Sequence, residues 1–117
     1  MMTQTELRAY YRDRAALRAT EETLAGLREY AAASDDDLEQ EIAELEKTVR
    51  EQATAFAARG AEVLTTLEAV DNICCRMELR LHFYRGMAWK EIATIVGGTE
   101  ICIKDRCLKA LNKCIPK

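Results

Sequence analysis

Reactive side chains are scarce in this chain, and nearly all of them fall after residue 73. The cysteines are Cys74, Cys75, Cys102, Cys107 and Cys114, and the single histidine is His82. Structural zinc sites usually announce themselves as paired Cys-x2-Cys or His spacings. Here the gaps between successive cysteines are zero, 26, four and six residues, so the spacing offers no metal site and no cofactor is expected. An odd number of cysteines without a secretory leader points to reduced thiols in a cytoplasm. The thiols are therefore read as small core hydrophobes, with Cys107 and Cys114 on one face of one helix. No catalytic partner can be nominated for His82, which is read as structural or exposed. With no nucleophile–base pair and no phosphate-cradling loop in view, the chain is not expected to be an enzyme.

The remaining chemistry is ionic, and it sits in the stretch from Trp89 to Leu111. Two short amphipathic helical patterns there flank Gly97-Gly98-Thr99. A break of that kind between two short helices is the punctuation of a helix-turn-helix, whose second helix enters a DNA major groove. In the first helix Trp89, Ile92, Ala93 and Val96 share a face. In the second, Ile103, Cys107, Ala110, Leu111 and Cys114 do so, and Trp89 is read as core. The opposite face of the second helix presents Glu100, Ile101, Lys104, Asp105, Leu108 and Asn112, flanked by Arg106, Lys109 and Lys113. Early residues of such a helix reach base edges and later ones reach phosphates. Lys104 is expected to read guanine O6/N7, and Glu100 to accept from cytosine N4. Lys90 and the Thr99 backbone N–H are expected to hold phosphates, with Arg106 and Lys109 adding the salt-dependent attraction. Ile101 and Leu108 suit thymine methyls or a protein surface. The acids Glu100 and Asp105 oppose strong nonspecific binding and favour a selective or partner-assisted complex.

The elements that must position these residues are all helical. Of 117 residues 32% are charged, with one proline and five glycines, a composition that favours long helices over sheet. No apolar run is long enough to span a membrane, and Glu6, Arg8 and Arg12 stand where a signal peptide needs an apolar core, so secretion is not expected. The overall charge of −3 divides unevenly. Residues 34–70 hold ten acids and three bases, whereas residues 71–117 hold five acids and nine bases. An acidic middle beside a basic end suits a solvated helical arm joined to a nucleic-acid module.

Leu7, Tyr10 or Tyr11, Leu17, Leu24 and Ala31 recur at helical steps and predict a first helix from about Thr5 to about Ala33. Ser34-Asp35-Asp36-Asp37 breaks it and caps the next. Leu38, Ile42, Leu45, Val49, Gln52, Phe56, Arg59, Val63, Thr66 and Val70 then form a heptad seam, predicting one helix through Gly60. Such a helix is too long to be buried by a domain this small. It must pair with the first helix as an antiparallel hairpin, with a second subunit, or with both. Asp71 is expected to cap a third helix, which carries Met77, Leu79, Leu81, Phe83 and Tyr84 and ends near Gly86. A fourth runs from Ala88 to Val96, and a fifth is capped by Thr99 and ends near Cys114. The expected architecture is all-α. A coiled-coil-like hairpin over 1–70 acts as a dimerisation arm, and a three-helix module occupies 71–117.

The run Leu79-x-Leu81-x-Phe83-Tyr84-x-Gly86-x-x-Trp89-x-Glu91-Ile92-Ala93, with Val96-Gly97-x-Thr99-x-x-x-Ile103-Lys104-x-Arg106-x-x-Lys109-Ala110-Leu111 after it, resembles the region-four helix-turn-helix of bacterial sigma factors. Nothing before it resembles the sigma domain that melts promoter DNA. A helical hairpin followed by such a module resembles small phage and prophage transcription regulators of the ArpU/RinA type. The resemblance implies a DNA-binding transcription regulator in the bacterial cytoplasm. Its partners would be promoter double-stranded DNA and host RNA polymerase, while the heptad seam of the N-terminal helices predicts a second copy of the chain. Two alternatives stand beside it: a DNA-packaging component similar to a small terminase subunit, and a module that docks on RNA polymerase without binding DNA.

Overall fold

The computed structural model describes residues 1–117, and it is all-helical. α1 spans Gln4–Ala33, α2 Glu39–Leu67, α3 Ile73–Leu79, α4 Trp89–Val96 and α5 Glu100–Cys114. α3 continues without a break into a π-helical turn, Arg80–Tyr84. No helix is long and apolar enough to cross a membrane.

Packing divides the chain into two compact units, Arg12–Ala58 and Met1–Tyr11 with Arg59–Lys117. Both long helices run from one unit into the other, so the boundary expected near residue 70 falls inside the second of these units.

Within Arg12–Ala58 the two helices run antiparallel. Arg28 pairs with Glu46 at 3.5 Å, and the Arg14 guanidinium lies 4.8 Å over the Phe56 ring. The acidic turn works as its residue types predict: the Asp37 carboxylate accepts from the N–H of Glu39, the first residue of α2. Asp36 N–H donates to Ser34 Oγ, and Tyr30 Oη to the Asp36 carboxylate. The core is thin. Leu24 is buried, but Ile42, Leu45, Val49, Gln52 and Phe56 are only half-buried, because a pair of helices covers a heptad seam from one side.

The other unit holds a denser core. Leu79, Ile92, Cys107 and Leu111 are fully covered, and so are Val63 and Leu67 from the end of α2 and Val70 just beyond it. Met2, Leu7 and Tyr10 from the start of the chain join them at 2% exposure or less. Polar contacts tie the two chain ends together. Gln4 N–H donates to Pro116 O at 2.8 Å, Gln4 Nε2 to Ile115 O at 2.9 Å, and Thr5 Oγ1 to Lys117 O at 3.0 Å. Gln4 is 1% exposed, and its buried amide is satisfied by these bonds, as burial of a polar group requires. α2 passes through Gly60 unbroken, and a Cβ there would make ordinary van der Waals contact with Tyr10 Oη at 3.4 Å and the Tyr84 ring at 3.5 Å.

Several local expectations are corrected. α2 stops at Leu67 rather than Val70, and the last residues close in tight turns, Ala69 N–H to Thr66 O and Val70 N–H to Leu67 O. Asn72, not Asp71, caps α3 by accepting from Cys75 N–H at 3.0 Å. Val96, expected on the packing face of α4, is exposed, and Met77 of the third helix is exposed as well. The third helix is not α-helical throughout. Its crowded apolar positions 77, 79, 81, 83 and 84 do not make a 3.6-residue stripe: Leu79 and Phe83, four apart, are buried, Leu81 and Tyr84 are half-buried, and the backbone widens into a π turn over Arg80–Tyr84. The insertion is visible in the Arg85 N–H to Arg80 O bond at 3.1 Å, five residues back.

Candidate nucleic-acid interface

The turn between α4 and α5 is built by glycine. Gly97 and Gly98 take φ of +77° and +123°, a region that side-chain-bearing residues rarely adopt. The residues on either side supply the caps. Glu91 carboxylate accepts from Ala88 N–H at 3.4 Å at the start of α4, and Thr99 Oγ1 accepts from Cys102 N–H at 3.2 Å at the start of α5. α5 is then anchored by Ile103, Cys107 and Leu111, at most 2% exposed. Ala110 and Cys114 flank this buried stripe half-covered. This orientation leaves Glu100, Ile101, Lys104, Asp105, Lys109 and Asn112 exposed, with Leu108 half-buried beside them.

Of the residues expected to meet DNA, Glu100, Ile101, Lys104 and Asp105 lie at helical spacing on the outward side of α5, and Lys109 follows one turn on. Ile101 is the most exposed large apolar residue of the chain at 76%. Lys90 is exposed in the first turn of α4. Thr99 spends its hydroxyl on the cap. Arg106 stands apart from this group. Its Nη2 donates to both oxygens of Glu78 on α3, at 2.7 and 2.8 Å, and the hydrogen bond and charge of that carboxylate raise the guanidinium's pKa.

His82 sits in a sandwich. Its ring stacks on Trp89 at 4.1 Å and 15° and on Tyr11 at 4.3 Å and 20°. Nδ1 lies 2.8 Å from Met87 O, so the neutral ring donates there from Nδ1. Burial between two rings pushes its pKa below the ordinary value; the Met87 carbonyl opposes this, and the nearby Lys104 charge reinforces it. The imidazole therefore serves as a stacking plate that ties the start of α1 and the π turn to α4, the structural alternative of the sequence expectation.

The thiols divide. Cys75 and Cys107 are buried as expected, but Cys74 and Cys102 are exposed and Cys114 is intermediate, which corrects the reading of all five as core. The buried pair meets Glu78: the three side chains bring their donor atoms within 4.8 Å of one another, and Cys107 Sγ donates to Glu78 Oε1 at 3.5 Å. Burial, and then the carboxylate, push the Cys107 thiol up to about 12. Sequence reasoning missed this cluster because the cysteines are distant in sequence. One signal was available: Glu78 lies in phase with Cys75, Leu79 and Phe83 on the inward face of the third helix, where an acid requires a partner.

Compared with known proteins, the chain matches no family model, no curated protein and no solved structure.

Proposed function

We propose that this chain is a non-enzymatic, DNA-binding transcription regulator, encoded by a phage or prophage, whose α4–turn–α5 segment binds promoter double-stranded DNA. The observation that carries this reading is the division of α5. One face is locked into the core by Ile103, Cys107 and Leu111, and the other leaves Lys104, Lys109, Glu100 and Asp105 in solvent. A helix so anchored offers its outward side chains in a fixed frame, which major-groove reading needs. Lys104 reads a base edge, and Lys90 and Lys109 meet phosphates. Arg106 retains its bond to Glu78 and contributes through the fold.

The seam residues Ile42, Leu45, Val49 and Phe56, half-buried on the hairpin, support a homodimer through that arm. Sedimentation of the full chain with Val49→Glu tests this part: a dimer that becomes monomeric agrees with it, and a monomeric parent rejects it.

Binding is tested by fluorescence anisotropy on promoter duplexes from the surrounding genome at two salt concentrations. Lys104→Ala should cost about 1–3 kcal/mol on the specific site and little on scrambled DNA. Lys109→Ala should weaken both and lower the salt slope by roughly 0.9. Absence of salt-sensitive binding to every duplex rejects the reading. A second reading, docking on host RNA polymerase, is favoured by the 76% exposure of Ile101; polymerase capture lost in Ile101→Glu, without any DNA shift, would select it.

A further inference from the structure

Cys75, Glu78 and Cys107 are the one place in the molecule where two buried thiols and a buried carboxylate converge from two helices. Cys75 and Glu78 stand one turn apart on α3, and Cys107 faces them from α5. Their exposures are 2%, 4% and 0%. We propose that these three side chains form a zinc site that staples α3 to α5, with Arg106 as the outer partner of the ligating carboxylate.

The geometry suits a tetrahedral ion. Zinc bonds of about 2.3 Å to sulfur and about 2.0 Å to oxygen give tetrahedral edges of about 3.8 Å between sulfurs and about 3.5 Å between sulfur and oxygen. Cys107 Sγ and Glu78 Oε1 already stand 3.5 Å apart, and all three donor atoms lie within 4.8 Å of one another. The ion therefore needs shifts of an ångström or less from side chains already facing one another.

Charge and donor type select the class of cation. Two thiolates exclude the hard ions calcium and magnesium, and the carboxylate oxygen favours a borderline divalent ion over copper(I). Two thiolates and a carboxylate around a divalent ion leave one negative charge, which is costly when buried unpaired. Arg106 is already in place to neutralise it. Its Nη2 lies 2.7 Å from Glu78 Oε2, so Oε1 can turn to the metal while Oε2 keeps the guanidinium. A partner on the far oxygen of a ligating carboxylate fixes its orientation and tunes its basicity. Glu78 and Arg106 also line a groove of about 420 Å³ with Ile73, Met77 and Val96, and a water is the fourth ligand of the proposed site. Binding replaces the two thiol protons with bonds to the metal, so each ion bound releases two protons to solvent while Glu78 remains a carboxylate. Because two thiol protons leave for each ion bound, affinity must rise with pH.

The test uses the full chain, reduced and stripped with a chelator, and cobalt(II) as the probe. One equivalent should produce thiolate-to-cobalt charge-transfer absorption with the visible bands of a tetrahedral ion. Zinc should displace it, release two protons per ion and raise the thermal midpoint. Cys74, Cys102 and Cys114 lie outside the cluster, so the triple variant Cys74→Ser/Cys102→Ser/Cys114→Ser should keep the full signal. Cys107→Ser should lose at least tenfold in affinity. Absence of thiolate absorption in the parent chain, or its loss in the triple variant, overturns the proposal. The triple variant leaves the core untouched, so the test stands even if Cys107→Ser fails to fold.

Discussion

Removing Arg106 should destabilise the fold more than removing Arg106 and the Glu78 charge together. Glu78 has 5% of its side chain exposed, whereas Arg106 has 52%. The carboxylate is thus the buried partner and the guanidinium the half-wet one. Breaking a fully buried pair costs about 3–5 kcal/mol, while an exposed pair contributes about 0–1 kcal/mol. With one partner on each side of that divide, Arg106→Ala should cost about 2 kcal/mol, chiefly through a buried carboxylate left without a cation and with the Cys107 thiol as its remaining donor. Glu78→Gln keeps the shape and leaves no buried charge, so about 1 kcal/mol is expected from the weaker hydrogen bond. The double variant should sit near Glu78→Gln, giving a non-additive cycle with a coupling of about 2 kcal/mol. Urea unfolding followed by Trp89 fluorescence at neutral pH, with reductant and chelator present, measures all four corners. At roughly 4 °C per kcal/mol for a chain of this size, the thermal midpoint of Arg106→Ala should fall by about 8 °C. A neutral Arg106→Ala, or a double variant less stable than Arg106→Ala, would refute the reasoning.

Three other outcomes follow from the packing and backbone of the fold. Gly97→Ala should cost about 1–2 kcal/mol from backbone conformation alone, since φ is +77° and nothing lies within 4 Å of the added Cβ; chemical denaturation showing no loss would mean the turn relaxes freely. His82 has its pKa lowered in the fold, so its contribution is present above the ordinary value of 6.5 and declines as pH falls from there through the folded value. Urea midpoints should therefore drop between pH 7.5 and 5, and the part of the drop due to His82 should vanish in His82→Asn; identical profiles for the two proteins would contradict this. The fragment 71–117 by itself should stay largely unfolded, because Met2, Leu7, Tyr10, Val63 and Leu67 complete its core; a cooperative helical melt of that fragment by circular dichroism would sink the claim.

Much of the fold was readable from local pattern. α1 was expected from Thr5 to Ala33 and runs Gln4–Ala33. The acidic break, the passage through Gly60, the Gly97-Gly98 turn and the Thr99 cap all follow from rules that act within a few residues. The reading weakened where apolar residues were crowded. Between Met77 and Tyr84 almost every second position is apolar, and no periodicity in the chain distinguishes an α stripe from a π turn. It failed at Val96, which helical phase placed on the packing face of α4 but which stays exposed on the rim of a groove shared with Met77. The outward side chains of α5 were legible because Ile103, Cys107 and Leu111 set its phase. The role of Arg106 was not, because its partner lies 28 positions earlier.

The sequence by itself determined the helices, their caps and the turn that separates α4 from α5, since hydrogen bonds and steric limits between near neighbours settle each of them. It also determined which side of α5 faces out, through a heptad of apolar residues that has one sensible direction to point. Tertiary structure decided what a one-dimensional pattern does not carry: the closure of the C-terminal core by residues 2–10, the His82 stack between Tyr11 and Trp89, and the meeting of Cys75, Glu78 and Cys107. Each joins side chains that burial brings together across different helices, and burial is a property of the packed chain rather than of any stretch of it.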